Sequence, residues 1–475
     1  MSARTDTARP TAVVVGGGLA GITTALRLAE ADHRVTLVEG RPRLGGLAFS
    51  FQRGELTVDN GQHVFLRCCT AYRGLVDRLG AGRLVHLQPR LDVPVLGVSG
   101  GGPAVRRTVG RLRRSGLPVP LHLAGSLATY PHLRPADRLR VVRGALALKA
   151  LDLSDPALDE ISFGDWLRRN GQNAATLAAL WDLVGVATLN ARADEVSLAL
   201  AAMVFKTGLL SDPGASDIGM AAAPLGAIHH DAALAELERA GVRVLLRARA
   251  AELKPAAQHA VRLEGGELLT ADTVVLAGAQ DTAAALLPAD AIEGQHRLAA
   301  FGTAPILNVH VVYDRTVLRR PFFAALGSPV QWVFDRTAHS GLAASALGAA
   351  HPGAQYLAVS QSAVQDEIDL PVAELRARYL PELERLLPAA AGAGVLDFFV
   401  TRERTATFDP APGTAALRPS ALTKVPGLLL AGSWTATGWP ATMESAVRSG
   451  HAAADAALAG GARRPVDRGD GRWPR

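Results

Sequence analysis

Residues 11–46 read TAVVVGGGLAGITTALRLAEADHRVTLVEGRPRLGG. A short apolar run, Ala12 to Val15, ends in glycines at Gly16, Gly18 and Gly21. Small and apolar residues then recur at helical spacing through Leu19, Ile22, Thr23, Leu26 and Ala29. A second apolar run, Val35 to Val38, closes on Glu39. Strand, tight turn, helix, strand and acid in that order make a dinucleotide-binding unit. Gly16 permits the sharp turn, Gly18 leaves room for a pyrophosphate, and Gly21 lets helix and strand pack closely. The helix N-terminus adds free N–H groups and the positive end of a dipole. Glu39 lies 18 residues after Gly21, where a carboxylate meets ribose hydroxyls. A glycine-rich turn alone is a weak signal, and the strands and acid around it make this one specific.

The rest of the composition bounds the class. At 475 residues the chain has room for two or three domains. A hydrophobic content of 48% and a charged content of 20% are those of a globular protein. The net charge of +6 comes almost wholly from arginine, and no zinc finger, aromatic-basic motif or basic tail suggests nucleic acid. Cys68 and Cys69 are the only cysteines, and as neighbours they read as free thiols of a reducing compartment. The opening MSARTDTARP is too short and polar for a signal peptide, and no apolar run approaches the roughly 18 residues of a membrane span. These features point to a cytoplasmic protein. From 101 to 150, ten Arg and Lys face the single acid Asp137, with Leu, Val and Ala between them. That basic, amphipathic composition suits a surface resting on the inner face of a membrane. No histidine cluster has metal-ligand spacing, so no metal is expected.

After Glu39 comes Gly40-Arg41-Pro42-Arg43-Leu44-Gly45-Gly46. This resembles the acid–x3–Arg–x–Gly-Gly continuation of the flavin-dependent amine oxidase and phytoene desaturase superfamily. The resemblance implies FAD rather than NAD, with Arg41, Gly45 and Gly46 beside it. Relatives usually carry Arg after the doublet, where this chain has Leu47. It also implies that Asp59-Asn60-Gly61-Gln62-His63 passes the flavin ring, so Gly61 and Gln62 join the cofactor site. His63 and Asp59 become the candidate catalytic acids, against ordinary roles as a turn histidine and a turn cap. The backbone near Ala250 would meet the adenine. The lysine that amine oxidases place on the strand corresponding to 305–313 is missing, and Asn308 stands about there.

Residues 428–450, LLLAGSWTATGWPATMESAVRSG, form a buried strand, a polar turn and a helix starting near Ala441. This segment resembles the C-terminal motif of hydroxysqualene dehydroxylases, and Leu189-Asn190 and Gln331 to Asp335 fit the same branch. Gly432, Ser433, Met443 and Glu444 would line the flavin. Ser433 replaces the branch's usual Asp, and Ser445 its usual Gly.

The expected fold is α/β. A Rossmann-type, glutathione-reductase-like FAD domain is assembled from discontinuous segments 10–80, 235–290 and 405–460. An α+β substrate domain as in amine oxidases comprises 81–234 and 291–404, and 461–475 is a disordered tail. Helices are expected over 134–153, 163–180, 197–209 and 372–387, with a break or kink at Pro381, and loops over 97–103 and 115–120. The resemblance implies a reductive dehydroxylation. Hydride passes from reduced FAD to an allylic cation of hydroxysqualene, a C30 isoprenoid alcohol, giving squalene for hopanoid synthesis with an unidentified electron donor. Two readings stand beside it: a desaturase or amine oxidase on the same fold, and a prenyl-binding carrier of the Rab escort kind without redox activity.

Overall fold

The computed structural model describes residues 9–100 and 105–461. Of the expected tail only Gly461 lies within them, as the last residue of a helix. Five parallel strands form the first sheet, in the order Arg243–Leu246, Arg34–Glu39, Thr11–Val15, Thr273–Leu276 and Leu428–Leu430. Val13 lies opposite both Thr36 and Val274 in this register. Strands so buried on both faces must be nearly all apolar, which is why VVV, VVL and LLL recur here. The first strand is central, and the sheet is gathered from three separate stretches of the chain, 11–39, 243–276 and 428–430. Helix Leu19–Glu30 crosses helix Met443–Gly461 closely, with the Thr24 hydroxyl donating to the Gly450 carbonyl at 3.2 Å.

The second layer is a seven-stranded mixed sheet. Its order is Val395–Phe408, Thr303–Tyr313, Gln355–Ser362, Trp332–Asp335, Phe322–Leu326, Asp92–Ser99 and Arg106–Arg113. Period-two alternation splits Thr303–Tyr313 between two environments. Leu307, Val309 and Val311 pack with Leu375, Tyr379 and Leu383 of helix Val372–Leu386. Ile306, Asn308 and His310 face the other way. On that side helices Pro135–Ala150, Asp182–Leu189 and Leu198–Leu209 contribute to the wall of a large cavity. Asn190, left-handed at φ 57°, ends the second of these helices and ties it to the sheet. Its amide donates to the Ala304 carbonyl and the Thr407 hydroxyl and accepts from the Ala363 N–H.

Several local expectations are corrected. Residues 163–180 are not one helix: Phe163–Arg169 stops before Gly171, whose φ of 77° favours glycine, and helical structure resumes at Ala174. Residues 97–99 continue a strand instead of opening a loop. The first half of the basic segment is its edge-strand partner, Arg106–Arg113, so those arginines guard a sheet edge rather than coat a helix. Helix Val372–Leu386 runs through Pro381 without interruption, and the C-terminal helix starts at Met443, two residues after Ala441.

Candidate active site

At the C-terminal end of the first strand, Gly16 adopts φ 116°, and a Cβ there would strike the Ala277 carbonyl oxygen at 2.7 Å. Gly21 packs tighter still, its imaginary Cβ falling 1.9 Å from the Gly16 oxygen. Gly18 differs, because a Cβ there would meet only the Gly46 Cα, at 3.7 Å. The Gly45 N–H donates to the Gly17 carbonyl at 2.9 Å, holding the doublet over the turn. The result is a backbone trough between Gly18 and Gly46, open because neither residue has a side chain. The Glu39 carboxylate accepts from the Gly17 N–H and the Arg41 N–H, each at 2.7 Å. A carboxylate has lone pairs left for a diol after two such bonds. The Ala248 N–H donates to the Glu39 carbonyl, bringing the segment before Ala250 alongside that acid. The Arg41 side chain is exposed beside it. Arg43 stacks 3.4 Å over Phe49 and donates to the Gly46 carbonyl, and burial, with Arg41 nearby, lowers its guanidinium to about 10. It remains a cation at the rim where Leu47, 45% exposed, offers none.

The turn 59–63 is fixed from several sides. The buried Asp59 carboxylate accepts from the Ser50 hydroxyl, the Leu225 N–H and Arg336 Nη2. Asn60 donates to the Leu47 carbonyl and Glu403 and accepts from the Phe49 N–H. Its own carbonyl accepts from Asn308 Nδ2 at 3.0 Å and from the Thr401 hydroxyl at 3.1 Å. Behind Thr401, His310 Nε2 lies 3.1 Å from its hydroxyl, and Tyr356 O–H lies 2.7 Å from His310 Nδ1. Donated in the order Tyr356, His310, Thr401, Asn60, these bonds satisfy every member. Burial, with Arg53 adding, pulls His310 down to about 3, so the ring is neutral as the chain of donors needs. On the opposite side, His229 bridges the Tyr72 hydroxyl and the Ala48 carbonyl, and burial lowers it to about 4. Arg336, Tyr356, His310 and His229 were missed in the sequence. A His and an Asn on one face of the otherwise apolar PILNVHVVY were the available signal.

Gln62 and His63 emerge from this scaffold onto the wall of a 480 Å³ cavity. A volume of that size suits an organic ligand. Its walls are built mainly from Leu, Val, Phe and Trp, among them Val93, Phe205, Phe322 and Trp332, and Met443 lines it as well. Its single carboxylate, Glu444, is buried and already engaged. That acid accepts from the Ala71 and Tyr72 N–H groups and from Arg448 Nε. Glu444, expected to face the flavin, lines the cavity and also caps helix Thr70–Arg78, which otherwise starts without a side-chain cap. Asp59, expected as an acid, is held by its three donors. Burial lowers His63 to about 4, and it faces the cavity as a neutral ring.

In the last motif Gly432 continues the buried strand, its N–H donating to the Ser449 hydroxyl. The Ser445 hydroxyl meets the Thr437 hydroxyl at 2.6 Å and donates to the Ser433 carbonyl. Buried Arg418 clamps the same turn through the carbonyls of Ser433 and Thr435, a role sequence reasoning missed. The unusual serine at 445 is thus a backbone tie for the turn that carries Ser433.

A family model described as flavin containing amine oxidoreductase matches residues 19–458. The chain belongs to that family. This flavoenzyme is 30% identical to hydroxysqualene dehydroxylase from Rhodopseudomonas palustris, over 94% of this chain and 98% of that one. It is 25% identical to zeta-carotene desaturase from Synechocystis, over 95% and 97% of the two chains. Among solved structures it resembles putrescine oxidase bound to putrescine, with a TM-score of 0.69 and 21% identity over 95% and 99% of the chains. Its cofactor is FAD, and the open trough, the Glu39 carboxylate and the adjacent 248–250 backbone fit that group. The likeness to hydroxysqualene dehydroxylases read from residues 428–450 extends across the chain. Among the described residues no group of side chains is arranged to hold a metal, and no helix is long and apolar enough to cross a membrane.

Proposed function

We propose that this flavoenzyme removes the hydroxyl of hydroxysqualene, a C30 isoprenoid alcohol, and releases squalene and water. The carrying observation is the large apolar cavity, without a free carboxylate, whose lining includes Gln62, His63 and Met443. A hydrocarbon chain fits such walls by area alone. An amine substrate has no counter-ion there, and Asn308 replaces the lysine of the amine oxidases. FAD, when bound and reduced by a donor of unassigned identity, supplies the hydride. The chain's residues have three tasks: to orient the alcohol, to exclude water and to polarise the leaving oxygen. We assign the last to His63, whose neutral ring donates one hydrogen bond without carrying charge into the cavity. We assign Asp59 to holding the turn. Relatives that desaturate carotenes support a second reading, oxidation of a polyene in the same cavity.

The two readings run electrons in opposite directions. Protein loaded with FAD is reduced anaerobically and mixed with hydroxysqualene. Flavin reoxidation matched by squalene supports dehydroxylation. Flavin that stays reduced, with no squalene, refutes it, and bleaching of oxidised flavin by a polyene then supports the desaturase.

We further propose that the cavity opens toward an anionic membrane surface at the inner face of the plasma membrane. Leu139, Val142 and Leu146 share one face of helix Pro135–Ala150 and are exposed, and Val142 and Leu146 also line the cavity. Arg134, Arg143 and Lys149 flank them. The charge is smaller than composition suggested, because Arg111 pairs with Asp92 and Arg114 with Asp217.

A further inference from the structure

Three buried polar atoms of residues that line the cavity have no hydrogen-bond partner: both ring nitrogens of His122 and the Ser216 hydroxyl. The two side chains are 1% and 2% exposed. A buried polar group without a partner has lost its hydration for nothing, so such groups are normally satisfied. Two of them on one apolar wall call for a common explanation.

The fold ties them together. The Ser115 N–H donates to the His122 carbonyl at 2.7 Å. The neighbouring Arg114 reaches the buried Asp217 carboxylate through Nε at 2.5 Å and Nη2 at 2.8 Å. Asp217 follows Ser216 and also accepts from Arg67 Nε and the Leu91 N–H. The arginine charge nearby is therefore matched, and the spot is polar without being ionic. Burial and Arg114 lower His122, and the nearby Pro120 carbonyl offsets this in part without meeting hydrogen-bond geometry. A neutral imidazole offers one donor and one acceptor, and a serine hydroxyl offers both. That set matches a group which itself donates and accepts, and it does not match a carboxylate or an ammonium.

We propose that His122 and Ser216 form a subsite for the hydroxyl of a long-chain isoprenoid alcohol, in which the alcohol rests before it advances to the flavin. Leu121, beside His122, is 53% exposed, which places the subsite near the outside of the cavity. Sliding from there along Leu and Val walls meets little resistance, because apolar contacts are not directional. A hydrocarbon product has nothing to offer the subsite, so the same two residues favour substrate over product. The inference rests on the lipid-alcohol reading of the cavity.

The test uses oxidised holoenzyme in detergent, titrated with farnesol and with the C15 hydrocarbon farnesene. The signal is fluorescence of the cavity tryptophans Trp181, Trp332 and Trp439. Wild type is expected to prefer the alcohol by about tenfold, the equivalent of one or two hydrogen bonds. His122→Phe and Ser216→Ala each pull that ratio toward one while farnesene affinity stays put. Ser216→Ala removes a single oxygen and keeps the test valid if His122→Phe does not fold. A wild-type ratio near one means water satisfies the orphaned atoms and overturns the proposal. A ratio that collapses only in His63→Phe also overturns it. No turnover is required, so a protein that selects farnesol here but never converts hydroxysqualene keeps the subsite and loses the reaction.

Discussion

Arg336, at the end of a strand in the large sheet, forms a buried ion pair with Asp59 in the turn beside the FAD segments, at 2.7 Å. Both side chains are almost fully enclosed, and the guanidinium also donates to the Ala221 carbonyl. One residue thus joins the seven-stranded sheet, the turn 59–63 and the strand Ile218–Ala221. Leaving one partner of such a pair uncompensated is expensive. Arg336→Met is expected to cost about 3–5 kcal/mol of stability. Asp59→Asn keeps the turn's shape but leaves the buried guanidinium unpaired, and it too is expected to be costly. Denaturant unfolding of both variants measures the difference, and equal small losses would show that the pair does not hold the turn.

The glycines of the trough should separate binding from folding. Gly18→Ala meets only the Gly46 Cα and is expected to fold, with FAD affinity down by tenfold or more because the methyl fills the trough. Gly21→Ala drives its methyl into the Gly16 carbonyl and is expected not to fold. Flavin absorbance after gel filtration, read beside circular dichroism, distinguishes the two failures.

Ser433 sits where a carboxylate is usual in the resembled branch. Ser433→Asp is expected to tighten FAD binding, since a charged acceptor makes hydrogen bonds roughly twice as strong as a neutral one. Isothermal titration of apoprotein with FAD gives the answer. An unchanged or weaker Kd would mean the Ser445–Thr437 tie already positions the turn fully.

Two buried histidines and one in the cavity wall set an acid limit. His63 and His229 lie at about 4 and His310 at about 3 in the folded chain, against 6.5 when unfolded. Between those values the unfolded state binds more protons, so stability rises with pH from about 4 to 6.5 and is lost as pH falls. Each fully titrating histidine adds a slope of about 1.4 kcal/mol per pH unit. The urea midpoint is expected to fall steeply below pH 6.5, and His310→Gln should make the fall shallower. A flat midpoint across that window would contradict neutral, buried rings.

At the cavity mouth, Leu139→Asp with Leu146→Asp is expected to cut sedimentation with phosphatidylglycerol vesicles several-fold, without loss of bound FAD. Neutral phosphatidylcholine vesicles should bind less than anionic ones, because Arg134, Arg143 and Lys149 attract the anionic surface. Equal binding of variant and wild type would remove the membrane from the account.

Much of the architecture was legible before any coordinates. The glycine turn, Glu39, the doublet 45–46 and the strand at 428–430 are local patterns, decided by steric freedom and periodicity among chain neighbours. By themselves they implied a dinucleotide site; the family resemblance implied the flavin and a fold built from discontinuous segments, and the long motif at 428–450 carried the family branch. The cavity, its mouth and its orphaned His122 and Ser216 came only from the tertiary structure. So did the partners of the site: Arg336 with Asp59, separated by 277 residues, and Ala71 and Tyr72 with Glu444, separated by 373 and 372. A carboxylate's role depends on which donors arrive beside it in space. The family resemblance implied a place near the flavin for Asp59 and Glu444; packing adds three donors around the first and sets the second against the start of helix Thr70–Arg78.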